Sequence, residues 1–282
     1  MATTNLPGTS GELGSELVAA LELARDAGVE IMKLRGGELG VEMKKGDEPV
    51  TIADKRANQL IVDGLAARFP DDPIISEELP SAEATLRAPR LWLVDPIDGT
   101  KDFIRGSDGF SVMIGIVLDG RPSLGVVYQP AIDRTFFATP DGGAHVVTGD
   151  QVTPLVVSDV ATAADVRLVA SASHRSADID RVKTTLGIDN ELNVGSVGVK
   201  LCLIAMGVRD LYVNPAAKTK VWDTCGPEAI LTRAGGRLSD LFGEPVDYTE
   251  LRQRRGLVAS NGRVHDEVVA KLAPLFEQLR RK

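Results

Sequence analysis

One stretch, residues 91–103, constrains the fold of this 282-residue chain more than any other part of the sequence. Residues 91–94 are continuously apolar, a pattern that predicts the end of a buried strand. Asp95 follows the apolar run, and Pro96 cannot continue a hydrogen-bonded ladder, so we expect a bend there. Asp98 comes three positions after Asp95, so the bend carries two carboxylates.

The turn after this strand carries groups that bind a hard cation and a phosphate. Two carboxylates and an exposed backbone carbonyl supply the oxygen ligands that Mg²⁺ prefers. Gly99 and Thr100 are predicted to open a short helix, whose first backbone N–H groups suit a phosphate. The combination predicts metal-assisted phosphate chemistry at this turn.

The composition is that of an ordinary globular protein, with 43% hydrophobic and 26% charged residues. A net charge of −8 makes a nucleic-acid polymer an unfavourable partner, although local cations still permit a small anionic substrate. Cys202 and Cys225 lie in part-apolar helical stretches, which predicts reduced core thiols and a cytoplasmic location. No apolar run approaches transmembrane length, so no membrane association is expected.

The periodicity of apolar residues divides the chain into two halves. Residues 13–34 and 55–68 are predicted to be helices, the second with Asp54 as its N-cap, and strands dominate after residue 103. Beyond residue 150 strands alternate with helices, which is typical of a mixed α/β layer. We therefore predict an α/β (α+β) fold with an N-terminal α+β domain, residues 1–150, and a C-terminal α/β domain, residues 151–282.

Three further acidic segments lie at predicted turns and element ends. Glu77 and Glu78 follow a short strand, Asp47 lies in a loop, and Asp223 begins a helix. Taken singly, they are typical of a solvated surface, a turn and a helix cap. Together with the turn at Asp95 they have the arrangement by which α/β scaffolds assemble a metal site.

Two motifs resemble the signatures of the inositol monophosphatase superfamily. They are Asp95-Pro-Ile-Asp-Gly-Thr100, preceded by Trp92, and Trp222-Asp-Thr-Cys-Gly-Pro227. Both are complete and in the expected order, and the resemblance covers roughly residues 13–262. It implies a Mg²⁺-dependent phosphomonoesterase with the layered α/β/α/β/α sandwich of sugar phosphatases and inositol monophosphatases.

The resemblance also implies roles for individual residues. The implied metal site holds two or three Mg²⁺ ions on carboxylates and one backbone carbonyl: Glu77, Asp95, Ile97, Asp98 and Asp223. Asp47 and Thr100 are the implied pair that positions and deprotonates the attacking water. The implied substrate contacts are Glu77, Ile97, Asp98, Gly99, Thr100, Ser171, His174, Ser196, Lys200 and Asp223.

Within the superfamily, five segments resemble the 3′(2′),5′-bisphosphate nucleotidases of the CysQ type. They are residues 45–51, 101–103, 222–228, 171–174 and 195–200. In that branch the last two segments hold the nucleotide, so the implied reaction converts adenosine 3′,5′-bisphosphate to AMP and phosphate, in sulfur metabolism. This chain departs from the branch in two ways: the loop between Asp47 and the following proline is one residue shorter, and Ala172 stands where an arginine is frequent.

Other interpretations stay open at this point. His174 could be an ordinary strand-end residue, Lys200 a solvated helix position and Ser196 an ordinary N-cap. The substrate could be inositol 1-phosphate or fructose 1,6-bisphosphate, and the partner is a small phosphorylated nucleotide or sugar in either case. A non-catalytic regulatory binding protein of the same fold is the alternative from another class, against which the intact carboxylates argue. A homodimer is among the assembly states that the sequence allows.

Overall fold

The computed structural model describes residues 5–44, 48–80, 83–173 and 175–280. Over these residues the chain forms two large β-sheets and one small one. Helices cover both faces of each large sheet, which gives five layers in the order α/β/α/β/α. The predicted layered sandwich is therefore confirmed.

The first outer layer consists of two long helices, α1 (Gly14–Leu34) and α2 (Ile52–Arg68). Their apolar faces pack against one face of the larger sheet. A small antiparallel hairpin, β1 (Glu42–Lys44) and β2 (Glu48–Val50), connects them. The predicted N-cap of α2 was wrong, because Thr51 caps the helix and Asp54 completes the capping box from the third helical position.

The larger sheet has seven strands in sequence order: β3 (Ile74–Ser76), β4 (Arg90–Asp98), β5 (Ser111–Leu118), β6 (Arg121–Gln129), β7 (Arg134–Thr139), β8 (Gly143–Thr148) and β9 (Gln151–Pro154). Only β3 and β4 pair in parallel among the described strands of this sheet. Strand β4 does not end at residue 94 but continues to Asp98, with an irregular register against β5 between Asp95 and Asp98. The short helix α3 (Thr100–Ile104) follows, as predicted.

The second sheet has five strands: β10 (Leu168–Ser171), β11 (Glu191–Val194), β12 (Leu211–Asn214), β13 (Arg237–Ser239) and β14 (Leu257–Ser260), in the order β11-β10-β12-β14-β13. Strand β14 was not predicted from the sequence, because the periodicity of a short apolar run does not distinguish a strand from a helix segment. Strand β14 lies inside the sheet, paired with both β12 and β13. The division of the chain at residue 150 stays a prediction.

The central layer consists of α5 (Val197–Ala205) and α6 (Val221–Arg233), which lie between the two sheets. Helix α6 approaches the larger sheet very closely. A Cβ atom added at Gly125 would lie 2.0 Å from the carbonyl oxygen of Gly226, and one added at Gly115 would lie 2.7 Å from the Gly226 nitrogen. The absence of side chains at these glycines lets α6 pack directly against the backbone of β5 and β6.

The last outer layer consists of α4 (Ala177–Leu186) and α7 (His265–Leu272), which cover the second sheet. Helix α7 ends at Leu272, and a 3₁₀ segment, Ala273–Leu279, with a proline in its first turn follows it. Cys202 and Cys225 are both buried and free, as predicted. Among the described helices, none has the length and apolar character needed to cross a membrane.

Candidate active site

Parallel pairing brings Glu77 beside the signature turn. Residue 76 of β3 pairs with Val94 of β4, and the backbone N–H of Glu77 donates to the Val94 carbonyl at 3.1 Å. The next residue on each strand is therefore acidic, Glu77 on one and Asp95 on the other. Because parallel strands end at the same sheet edge, the two carboxylates meet there.

Asp95 is the most deeply buried carboxylate of this edge, with 2% of its surface exposed. Its Oδ1 atom has no hydrogen-bond partner among the described residues. Burial raises the pKa of Asp95 well above its usual value, and the negative charges of Glu77, Asp98 and Asp223 raise it further. A buried carboxylate oxygen that lacks a donor is a position where a cation would be stabilised.

Asp98 ties the signature turn to the start of α5. Its Oδ2 accepts a hydrogen bond from the Gly198 backbone N–H at 2.9 Å and one from the Ser196 hydroxyl. Ser196 also caps α5, where its Oγ accepts from the Val199 N–H at 3.0 Å. Burial raises the pKa of Asp98, against the opposing effects of the Lys200 charge and the Ser196 hydrogen bond. Ser196 is therefore an N-cap and a partner of a candidate metal carboxylate at once.

Asp223 reaches the same cluster from the first turn of α6. Its Oδ2 accepts a hydrogen bond from the Lys220 backbone N–H at 2.8 Å, which holds the carboxylate at the start of α6. Burial raises the pKa of Asp223 well above its usual value, followed by the charges of Asp98 and Glu77. The structure thus brings together the four predicted carboxylates from three segments, the end of β3, strand β4 and the first turn of α6.

This donor set fits a hard divalent cation. Buried, mutually repelling carboxylates are unfavourable unless protons or metal ions neutralise them, and oxygen ligands suit Mg²⁺. Within the described part of the chain, no three acidic, His or Cys side chains have converged to metal-ligand spacing. Glu77 is instead paired with the Lys44 ammonium, 3.0 Å from its Oε1, and Lys44 also contacts Glu78. A lysine ammonium therefore supplies the positive charge at one corner of the cluster.

Thr100 forms the second part of the site, together with an aspartate that the sequence analysis had treated only as a helix cap. The Thr100 hydroxyl lies 3.0 Å from Oδ1 of Asp54 and 3.0 Å from the Ile97 carbonyl oxygen. The other Asp54 oxygen accepts from the Thr51 backbone N–H at 2.8 Å and from its hydroxyl at 2.6 Å. Burial raises the pKa of Asp54, although hydrogen bonds from Thr51 oppose the rise. The Thr51-x-x-Asp54 spacing was the sequence signal that could have identified this buried aspartate.

Glycine at position 99 lets the chain turn sharply from β4 into α3. Gly99 has φ 98°, and an added Cβ would lie 2.9 Å from the Gly109 carbonyl oxygen. A residue with a side chain would be strained in this conformation and would also clash with the backbone. The turn that presents Asp98 and Thr100 on opposite sides of Gly99 therefore depends on this glycine.

Lys200, predicted to contact the nucleotide, is almost completely buried, with 1% of its surface exposed. Its ammonium donates to the carbonyls of Val194, at 3.3 Å, and Gly195, and lies 5.3 Å from the centre of the Tyr212 ring. Burial lowers the pKa of Lys200 to about 8, while nearby carboxylates, Asp98 first, raise it. This burial excludes the alternative of a solvated helix position.

The remaining predicted contacts lie at the end of β10 or outside the described residues. Ser171 is the last residue of β10 and is half-buried. His174, three positions later, and Asp47, the predicted water activator, lie outside the residues that the structure describes.

Comparison with known proteins agrees with this geometry. The sequence profile of the inositol monophosphatase family matches residues 13–277. The chain belongs to this family. Its fold is similar to that of the Thermotoga maritima IMPase TM1415, with a TM-score of 0.80 and 28% identity over 94% of this chain and 99% of the other. The family predicted from the two motifs is confirmed.

Two curated proteins of known activity are similar to this chain in sequence. The 3′(2′),5′-bisphosphate nucleotidase CysQ of Escherichia coli K12 is 37% identical over 231 residues, 81% of this chain and 92% of the relative. The histidinol-phosphatase of Mycobacterium tuberculosis is 34% identical over 263 residues, 91% of this chain and 97% of the relative. The family membership confirms that the chain is an enzyme, a phosphatase acting on small phosphorylated substrates.

Proposed function

We propose that this phosphatase is a Mg²⁺-dependent phosphomonoesterase that removes the 3′-phosphate of adenosine 3′,5′-bisphosphate and releases AMP. The observation that carries the metal dependence is the buried Asp95 oxygen that has no partner among the described residues, next to three other carboxylates. The similarity to the Escherichia coli bisphosphate nucleotidase supports the choice of substrate.

The metal would be held by the oxygens that meet at the end of β4. These are the carboxylates and the one backbone carbonyl predicted from the sequence: Glu77, Asp95, Ile97, Asp98 and Asp223. When bound, Mg²⁺ would lower the pKa of a water molecule and neutralise charge on the phosphate. The protein's own contribution is to hold the carboxylates from three segments in one place, so that little reorganisation accompanies the reaction.

Thr100 and Asp54 are proposed to orient the attacking water and to take its proton. The Thr100 hydroxyl has one proton, and two acceptors, Asp54 Oδ1 and the Ile97 carbonyl, lie at equal distance from it. The hydroxyl can therefore donate to Asp54 while its lone pair accepts from a water. Asp54 is buried, so its carboxylate is more basic than an exposed one and accepts a proton more readily. The predicted participation of Asp47 in the same step stays a proposal.

The start of α5 and the end of β10 are proposed to hold the rest of the nucleotide. Ser171 and His174 would contact the sugar side, and Ser196 would connect that region to Asp98. Lys200 would act indirectly, because its ammonium donates hydrogen bonds to the backbone carbonyls of Val194 and Gly195. These contacts would fix the backbone before Ser196.

Histidinol phosphate is the second candidate substrate. The histidinol-phosphatase of Mycobacterium tuberculosis is similar to this chain over a larger share of its length than the nucleotidase is. Both reactions are phosphomonoester hydrolysis and would use the same carboxylates, so the two candidates differ only in the group that leaves.

Phosphate release from a panel of esters tests the proposal. The panel contains adenosine 3′,5′-bisphosphate, histidinol phosphate, inositol 1-phosphate and fructose 1,6-bisphosphate, each with Mg²⁺ and with a chelator. We expect the highest kcat/KM for the nucleotide, and turnover only with Mg²⁺. Equal or faster turnover of histidinol phosphate would replace the nucleotidase assignment, and full activity in the chelator would refute the metal dependence.

A further inference from the structure

The end of α3 places a cation beside the end of β10. Arg105 follows the last residue of α3, and its backbone N–H donates to the Lys101 carbonyl at 3.2 Å. Its side chain is exposed and reaches Ser173, two residues beyond β10, with Nη1 at 3.3 Å from the Ser173 Oγ. Arg105 therefore bridges the two halves of the chain at the side of the predicted substrate contacts.

The carboxylates near Arg105 are already occupied. Asp102 accepts from the Ser107 hydroxyl at 3.1 Å and from the Ser173 hydroxyl at 2.7 Å. The Asp108 carboxylate accepts from Arg35 at 2.6 Å. Among the residues that the structure describes, no carboxylate lies within ion-pair distance of Arg105 itself.

The neighbouring arginine is different in this respect. Arg175, also just beyond β10, is paired with Glu191 at 2.7 Å and with Asp180. Its charge is thus neutralised within the protein, whereas the charge of Arg105 is left for solvent or for a ligand. The Ser173 hydroxyl donates its proton to Asp102, which leaves its oxygen to accept from Arg105 and to hold the guanidinium in place.

Arg105 lies just past the opposite end of α3 from Thr100. It comes five positions after Thr100, which at 1.5 Å per residue is about 7.5 Å along the helix. Gly195, which leads into α5, packs directly on this helix, because a Cβ atom added there would lie 2.5 Å from Asp102 Oδ2. Arg105, Ser173 and Gly195 thus border the same side of the site.

We propose that Arg105 binds the second phosphate of a bisphosphorylated substrate, the one that is not cleaved. A planar guanidinium offers two parallel N–H groups to a phosphate, and Arg105 breaks no ion pair with a described carboxylate to make this contact. The inference rests on the proposed nucleotidase function and deepens it. Arg105 would select bisphosphates over monophosphates, while Asp95 and Thr100 would act on both.

The test compares two nucleotides in one variant. We expect Arg105→Gln to lower kcat/KM for adenosine 3′,5′-bisphosphate relative to adenosine 3′-monophosphate by about 10- to 100-fold, mainly through KM. Arg105→Lys should restore part of this ratio, because it retains the charge but not the bidentate geometry. Arg233→Gln is the matched control, since Arg233 is exposed at the opposite end of α6 from Asp223.

The possible failures are distinguishable. If Arg105→Gln leaves the ratio of the two substrates unchanged, whether it lowers both or neither, the assignment of Arg105 is overturned and the nucleotidase function stands. If the wild-type enzyme hydrolyses neither nucleotide but does hydrolyse histidinol phosphate, the proposed function falls, and the role of Arg105 falls with it. Thermal unfolding of each variant verifies that the fold is retained.

Discussion

The hydroxyl of Thr100 lies 3.0 Å from the carboxylate of Asp54, which joins the first residue of α3 to the first turn of α2. The two residues are 46 positions apart in the chain. Their contact connects the signature turn to a buried acid that has no other hydroxyl donor than Thr51 and Thr100 among the described residues. The pair is the part of the site that most directly suggests how a water molecule is activated.

Thr100→Val removes this hydroxyl while keeping the shape of the side chain. We expect kcat at saturating Mg²⁺ to fall by about 100-fold or more, because a positioned proton acceptor typically contributes that much. Steady-state phosphate release provides the measurement. Thr148→Val, on the exposed end of β8, is the control that should retain full activity. Activity of Thr100→Val within twofold of wild type would exclude the proposed role.

Asp95→Asn tests the metal site without measuring activity. A ligand that binds only the folded state stabilises it, so Mg²⁺ should raise the Tm of the wild-type protein. In the variant this Mg²⁺-dependent increase should be lost, because a central carboxylate is missing. Differential scanning calorimetry with Mg²⁺ and with chelator gives the comparison. Asp150→Asn, an exposed change of the same kind, should keep the increase. An undiminished increase for Asp95→Asn would show that Mg²⁺ binds elsewhere.

Lys44→Met tests whether the lysine ammonium competes with Mg²⁺ for Glu77. The ammonium lies 3.0 Å from Glu77 Oε1. Its removal therefore frees the Glu77 carboxylate and removes a positive charge that repels Mg²⁺. We expect Mg²⁺ to bind about three- to fivefold more tightly, consistent with up to about 1 kcal/mol for a partly exposed ion pair. Isothermal titration calorimetry measures the Kd. Lys33→Met, which removes an exposed ion pair with Glu30, is the control and should leave the Kd for Mg²⁺ unchanged. Weaker binding of Mg²⁺ by Lys44→Met would contradict the competition.

His265 makes stability depend on pH in a predictable direction. The ring is buried between the Ser239 and Ser260 hydroxyls, at 2.8 and 2.9 Å, and Ser239 donates its own proton to the Asp240 carbonyl at 2.6 Å. In the neutral ring, His265 Nε2 then donates to the Ser239 hydroxyl and Nδ1 accepts from the Ser260 hydroxyl. Burial lowers the pKa of His265 to about 4.

Because the unfolded chain binds the His265 proton more tightly, stability is lost as the pH falls below the ordinary histidine pKa of about 6.5. Between about pH 7.5 and 5 the free energy of unfolding should fall by about 2 kcal/mol on this account. The pKa values of the buried carboxylates in the site are raised, so their contribution to stability changes with pH in the opposite direction. The contribution of His265 is therefore measured by comparing the wild type with a His265→Gln variant. Urea unfolding at both pH values should show a smaller decrease for the variant. Equal decreases would mean that His265 is not responsible.

The signature turn and the second acidic motif could be predicted because their signals are local. An apolar run, a proline, two aspartates and a glycine within ten residues leave few alternatives for residues 91–100. The same applies to Asp223, which precedes a proline at a helix start. The alternation of strands and helices in the second half was equally visible, although the four-residue strand β14 was not.

The surroundings of Asp54 and Lys200 could not be predicted from the sequence. Asp54 has the sequence signature of a helix cap, and only the approach of α3 brings the Thr100 hydroxyl to it. Lys200 lies in a pattern that fits a solvated position, yet the packing of α5 between two sheets buries it beneath the site.

The sequence by itself determined which family this chain belongs to, which residues are acidic at element ends, and the layered class of the fold. The positions of the acidic residues follow from apolar periodicity and from turn residues, whose effects extend over a few positions. The family and the layered fold were implied by the resemblance of two short motifs. Only the tertiary structure decided that Glu77 lies beside Asp95, that Asp98 is tied to the start of α5, and that Arg105 reaches Ser173. Such contacts join residues far apart in the chain, and strand register and helix packing, which set them, are properties of the whole fold.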